Sequence, residues 1–286
     1  QPSWCSGCNV TSRRVRLPLG GCNVSLAMHV AAADVRLWWP AGLGQQNLYP
    51  LKLSFETHPL VGASRSAAQP PLVVSTTRRI GFRHFALVTG NDTNASWVRA
   101  AEGREGSGDH GLYFRVNGVA IYSRGANLVP MDELEGRLSA GAYAQLVASS
   151  VAAHFNTLRV WGGGIFAPDT FYNACDEMGL LVYHDMQYAQ SGHSPRATPT
   201  QEAELRHQVR RLSTHPSIVI YDGCNECRVD MAKPTSIYAT FVMSVVAEED
   251  DSRAVWPSCP SVGWSTGTRT LDSTPVEGGT LATPSA

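Results

Sequence analysis

Apolar and polar positions alternate in short stretches through the first 88 residues, notably over 15–17, 24–28 and 48–55, with turn residues between them. A period of two sends successive side chains to opposite faces of a strand. The run PAGLG at 40–44 reads as a hairpin-like link between two such strands. No helical period lasts more than two turns here. Residues 1–88 are therefore expected to form an antiparallel β-sandwich. Residues 89–110, TGNDTNASWVRAAEGREGSGDH, are polar and glycine-rich, which predicts a surface loop or linker.

From Gly111 the rhythm changes to β runs alternating with helical patterns. Phe114 to Val116 and Val119 to Tyr122 precede Gly125-Ala-Asn127. A helix follows with Tyr143, Leu146, Val147 and Val151 on one face. A second strand, TLRVW (157–161), leads into a helix presenting Phe171, Ala174, Cys175 and Met178. LLVY (180–183) is a third strand, followed by a helix carrying Leu205, Val209 and Leu212. IVIY (218–221) is a fourth, and a helix around Ile237, Phe241, Val242 and Val245 comes next. Residues 254–256 could open a fifth strand. Repeated strand-then-helix units predict parallel strands with crossover helices. An open dinucleotide-binding sheet would want Gly-x-Gly-x-x-Gly after its first strand, which is missing, so the first half of a (β/α)8 barrel is the expected architecture for residues 111–286.

Composition narrows the function. Of 286 residues, 43% are hydrophobic and 16% charged, with a net charge of −1, so a packed core is expected. No basic patch asks for nucleic acid, and no apolar run is long enough to span a membrane. The first ten residues lack an initiator Met and a signal-peptide layout, so the chain is expected to start inside something longer or after processing. Four Asn-x-Ser/Thr sequons, at Asn9, Asn23, Asn91 and Asn94, point to a lysosomal or secreted protein. Of the cysteines, Cys5 with Cys8 and Cys224 with Cys227 make two Cys-x-x-Cys pairs. Neither sits in a zinc-ribbon setting, so no metal and no cofactor is expected. Cys175, on an apolar helix face, is expected in the core.

Barrel enzymes gather their chemistry at the C-terminal ends of the strands. Those ends offer Asn127, then Arg159 and Trp161, then His184-Asp185, then Asn225-Glu226. A Glu beside an amide, with an indole nearby, suits sugar chemistry. The amide can bind a ring hydroxyl, the indole can cover an apolar sugar face, and the carboxylic acid can protonate a glycosidic oxygen. His184-Asp185 reads first as a structural hydrogen-bonded pair and only second as a general base. Trp161, taken alone, reads as core packing.

Several blocks together carry a resemblance. They are VRLWWPAGLGQ (35–45), RIGFR (79–83), VNGVAI (116–121) with GAN (125–127), NTLRVWGGG (156–164), DEMG (176–179), HPS (215–217) and GCNE (223–226). In this order they resemble the β-mannosidases of glycoside hydrolase family 2. The resemblance implies a retaining exo-glycosidase that removes terminal β-D-mannose from oligosaccharides and N-glycan fragments. It implies Glu226 as general acid/base and Asn225 as the ligand of the sugar 2-hydroxyl. Trp161 and Asn127 would line the sugar pocket, and residues 1–88 would form an immunoglobulin-like sandwich. Leu128 stands where the family has Trp, and Cys224 where it has Asn. A retaining enzyme also needs a nucleophilic carboxylate about 5–5.5 Å from the acid. Glu248 and Glu249 belong to a charge run, and Glu277 follows no strand. Residues 110–286 are too few for a full barrel of about 250 residues. The nucleophile is therefore expected from the remaining part of the enzyme, on another fragment or chain. The alternative is a non-catalytic glycan-binding or assembly subunit.

Overall fold

The computed structural model describes residues 12–16, 24–57, 71–89, 112–189, 194–227, 237–256 and 258–259. The four sequon asparagines, Cys5, Cys8, Glu277 and almost all of the predicted linker lie outside them.

Two antiparallel units come first. β1 (Tyr49–Glu56) pairs with β2 (Val73–Ile80), Tyr49 opposite Ile80 and Glu56 opposite Val73. β3 (Phe85–Thr89), β4 (Leu112–Val116) and β5 (Val119–Ile121) form a three-stranded sheet in that order. The β4–β5 turn is Asn117-Gly118, both at positive φ (51° and 83°), the backbone a two-residue hairpin demands. The strands expected at 15–17 and 24–28 are not present. Residues 15–16 and 24–28 belong to no described strand and are mostly exposed. β1 and β2 are also exposed over most of their length, Leu53 at 55% and Val73 at 58%. Among the described residues this ribbon has no second sheet packed on it, so the alternation seen in the sequence marks a two-stranded ribbon.

A five-stranded parallel sheet follows, in spatial order β10-β9-β8-β7-β6. Its strands are β6 (Gly125–Leu128), β7 (Thr157–Val160), β8 (Leu181–Asp185), β9 (Ile218–Asp222) and β10 (Ala254–Trp256). The GAN block thus forms the first parallel strand itself. Helices α1 (Ala140–Ala152), α2 (Asp169–Met178) and α3 (Pro199–Leu212) make the crossovers, and a π-helical turn over Tyr238–Met243 runs into α4 (Ser244–Glu249). Ser139 and Thr198 cap α1 and α3 through side-chain oxygens that accept from Ala142 and Gln201 N–H. α2 ends at Gly179, whose φ of +77° supplies the left-handed stop.

Every residue of β8 and β9 is buried, which is why both read as unbroken apolar runs. One face packs on the helices through Val182, Ile218, Tyr221, Phe171, Val209 and Val246. The other packs Leu181, Tyr183, Val219 and Ile220 on Phe85, Phe114, Val116 and Trp38. Trp38 is fully buried and its indole N–H donates to the Asp176 carbonyl at 2.8 Å. The Asp176 carboxylate meets His215 Nδ1 at 2.6 Å and accepts from Ser217 N–H at 3.0 Å. Three blocks of the sequence pattern, around 38, 176 and 215, therefore meet at one buried residue, Asp176, whose carbonyl holds Trp38 and whose carboxylate holds His215 and Ser217 at the entry to β9. Arg83 and Arg253 both donate to the Ile218 carbonyl, at 2.5 and 2.8 Å, and hold the same entry.

Candidate active site

β6, β7 and β8 end side by side, and the loop after β9 folds over the same edge. In register, Asn127 lies opposite Arg159, Arg159 opposite Tyr183, and Asp185 opposite Asp222. Arg159 is the hub. Its guanidinium donates to both Asp185 oxygens, at 2.9 and 2.6 Å, to Asn225 Oδ1 at 2.9 Å and to Asn127 Oδ1 at 3.4 Å. Asp185 also accepts from Gly162 N–H at 3.0 Å. Four residues named from the sequence thus form one network across four strand ends. Because Asn225 Oδ1 accepts from Arg159, its Nδ2 is left to donate to a hydroxyl.

Burial costs the Arg159 charge, but hydrogen bonds to Asp185 outweigh it and hold the guanidinium above its ordinary pKa. Burial pushes the Asp185 carboxyl up against the opposing pull of Arg159. Asp222, fully buried, goes well above the usual carboxylate range, through burial first and the neighbouring Asp185 second. Asp185 faces the cation and Asp222 faces Tyr183 OH and Cys224 N–H (2.9 Å). Asp185 therefore has a cation beside its charged form, whereas Asp222 has only neutral donors. Sequence reasoning passed over Asp222. The sequence carried no signal for it, since an acid closing an apolar β run reads equally as the start of a solvated loop.

His184 and Asp185 point to opposite faces of β8, so they are not a side-chain pair. His184 is fully buried, with Nδ1–H donating to the Asp185 carbonyl and Nε2 accepting from Tyr172 OH, each at 2.7 Å. Its ring stacks with Phe166 and Tyr172. Burial pushes its pKa down to about 3, so it is a neutral core residue. His184 is thus structural, but its side-chain partner is Tyr172 rather than the expected Asp185 carboxylate.

Trp161 leaves β7 half-buried, its N–H bound to the Leu128 carbonyl at 3.2 Å. The indole lies on Gly163, where an added Cβ would meet the ring at 2.1 Å. Glycine there is a requirement of the close approach. Glu226 is exposed, at φ +57°, with its N–H donating to the Cys259 carbonyl at 2.7 Å. Among the described residues its carboxylate has no hydrogen-bond or ion-pair partner, whereas Glu248 and Glu249 are bound to Arg206, and Glu249 also to Arg210, on α3. Cys224 and Cys227 form a disulfide with their Cα atoms 5.7 Å apart, so this pair is not a zinc half-site. No described cluster of His, Cys, Asp or Glu could hold a metal. No described helix is long and apolar enough to cross a membrane.

No family model matches the chain. Curated relatives do. Mouse "Beta-mannosidase" is 32% identical over 250 residues, 81% of this chain and 26% of that protein. Bovine "Beta-mannosidase" is 29% identical over 279 residues, covering 89% and 29%. "Beta-mannosidase A" of Aspergillus terreus is 30% identical over 279 residues, covering 91% and 28%. Among solved structures, the β-D-mannosidase of Dictyoglomus thermophilum aligns at TM-score 0.55 with 26% identity, over 78% of this chain and 26% of that one. An exo-chitosanase of Amycolatopsis orientalis aligns at 0.57 with 18% identity, over 82% and 25%. A β-glucuronidase of Parabacteroides merdae aligns at 0.52 with 15% identity, over 81% and 25%. The last two speak to fold alone. The chain spans about a quarter of the length of the curated relatives it matches.

Proposed function

Since the chain is a homologue of one segment of the β-mannosidases of glycoside hydrolase family 2, we propose that it carries the acid side of a retaining exo-glycosidase site acting on terminal β-D-mannose of oligosaccharides. Glu226 is the general acid/base: it protonates the glycosidic oxygen as the bond to the anomeric carbon breaks, then takes a proton from the attacking water. Asn225 offers its Nδ2 to the sugar 2-hydroxyl. Asn127 and the Trp161 indole line the pocket, and Arg159 with Asp185 fixes the amides. One observation carries this reading. Strands far apart in sequence bring Asn127, Arg159, Asp185 and Asn225 into a single network whose last member is the chain neighbour of Glu226.

On this reading residues 111–286 are the first strands and helices of a (β/α)8 barrel, 89–110 is a linker, and 1–88 corresponds to an immunoglobulin-like domain. The exposed Glu226 carboxylate needs apolar cover to work as an acid, and a retaining mechanism needs a second carboxylate. Both are supplied from outside the described residues. A lysosomal or secreted location agrees with the disulfide, since such bonds persist in oxidising compartments.

The test is turnover of aryl β-D-mannoside, β-D-glucosaminide and β-D-glucuronide by the protein alone and with any co-purifying partner. Preferential cleavage of the mannoside is expected. Turnover of none, with retained binding of mannosides, would replace this reading with a non-catalytic glycan-binding subunit, which the unpartnered Glu226 carboxylate also accommodates.

A further inference from the structure

Glu226 occupies the third position of a four-residue turn, Cys224-Asn-Glu-Cys227, whose ends are joined by a disulfide. The 5.7 Å between those Cα atoms is turn geometry. A φ of +57° at the third position is what glycine or asparagine normally supplies there. A side chain such as Glu is disfavoured in that region, and persists there only where the surroundings over-determine it.

They do so here. Cys224 N–H donates to Asp222 Oδ1 (2.9 Å), Asn225 N–H to the Tyr188 carbonyl (2.9 Å), Glu226 N–H to the Cys259 carbonyl (2.7 Å) and Cys227 N–H to Ser258 Oγ (3.0 Å). Ser258 Oγ in turn donates to the Cys224 carbonyl at 3.0 Å, bridging the two cysteines across the turn. Each cysteine is buried, while the Glu226 side chain between them is exposed.

We propose that the Cys224–Cys227 disulfide is a redox-sensitive clamp that sets the direction of the Glu226 side chain. A dithiol reductant delivers two electrons and two protons to the S–S bond. It leaves two thiols on the protein and closes into its own cyclic disulfide. The turn then loses its covalent closure and the left-handed Glu226 backbone relaxes. The clamp does not depend on what Glu226 does to a substrate.

The experiment uses the intact protein with dithiothreitol and needs no turnover. Thiol alkylation after denaturation, read by mass spectrometry, should modify Cys224 and Cys227 only in reduced samples. Amide exchange at 224–227 should accelerate about tenfold on reduction while Val182 to His184 in β8 stay protected. The Cys224→Ser/Cys227→Ser double variant should show the fast exchange without reductant. If that variant does not fold, the reduced wild-type protein gives the same readout. Alkylation of both cysteines without reduction, or a disulfide that includes Cys259, would overturn the proposal. So would unchanged exchange at 224–227, or equal acceleration in β8, which would make the bond a support of the whole sheet.

Discussion

Two buried titratable residues at the ends of β8 and β9 oppose each other in the response to pH. His184 stays neutral down to about pH 3 in the folded chain, whereas an unfolded histidine charges below about 6.5. Between these values the unfolded state binds the extra proton, so stability falls as pH falls, by about 1.4 kcal/mol per unit. Asp222 keeps its proton in the folded state above the usual carboxylate range. Its contribution therefore falls as pH rises from about 4. Where both groups differ in protonation from the unfolded chain the two slopes oppose each other, and each substitution unmasks the other. Urea unfolding at pH 4.5 and 6.0 should show His184→Gln losing stability as pH rises and Asp222→Asn gaining it. Slopes of the same sign in both variants would refute the assignment. At Arg159 the planar fork serves both Asp185 oxygens and Asn225, which an ammonium cannot reproduce. Arg159→Lys should cost at least about 2 kcal/mol in glycan binding, measured calorimetrically in the complete protein. Most of these side chains were legible as polar residues at strand ends. Asp222 was not, because an acid after an apolar run looks like the start of a solvated loop until its burial is known.

At the level of elements, helix faces and parallel strands were readable because both obey fixed periods. Leu205, Val209 and Leu212 of α3 are buried as their spacing requires. Boundaries were less readable. Gly125–Leu128, too short and too polar to register as a strand, is one because β7 lies against it. A Cβ at Gly125 would come within 1.7 Å of the Thr157 carbonyl oxygen. Gly125→Ala should thus push β6 off β7, costing roughly 1–3 kcal/mol and detaching Asn127 from Arg159. A lowered urea midpoint checks the first effect. An unchanged midpoint would mean that the strands are not in this register. The alternation at 24–28 forms no described strand, because a period of two does not by itself supply a pairing partner.

Over the described molecule, one parallel sheet, buried on both faces at β8 and β9, aims four strand ends at a single polar network. That arrangement followed from the strand–helix alternation and from the absence of a dinucleotide-binding glycine pattern. The sandwich expected for residues 1–88 came from the alternation and from the family resemblance, and the described residues there show an exposed two-stranded ribbon and the first strand of a three-stranded sheet. The central claim is that Glu226 delivers the proton to the leaving oxygen. It is tested by comparing kcat/KM of the complete enzyme and its Glu226→Gln variant on a mannosyl disaccharide and on a dinitrophenyl β-mannoside. The account predicts a loss of about 10²–10⁴-fold on the disaccharide, whose leaving group needs the proton, and a far smaller loss on the activated aryl substrate. Equal losses on both would contradict it.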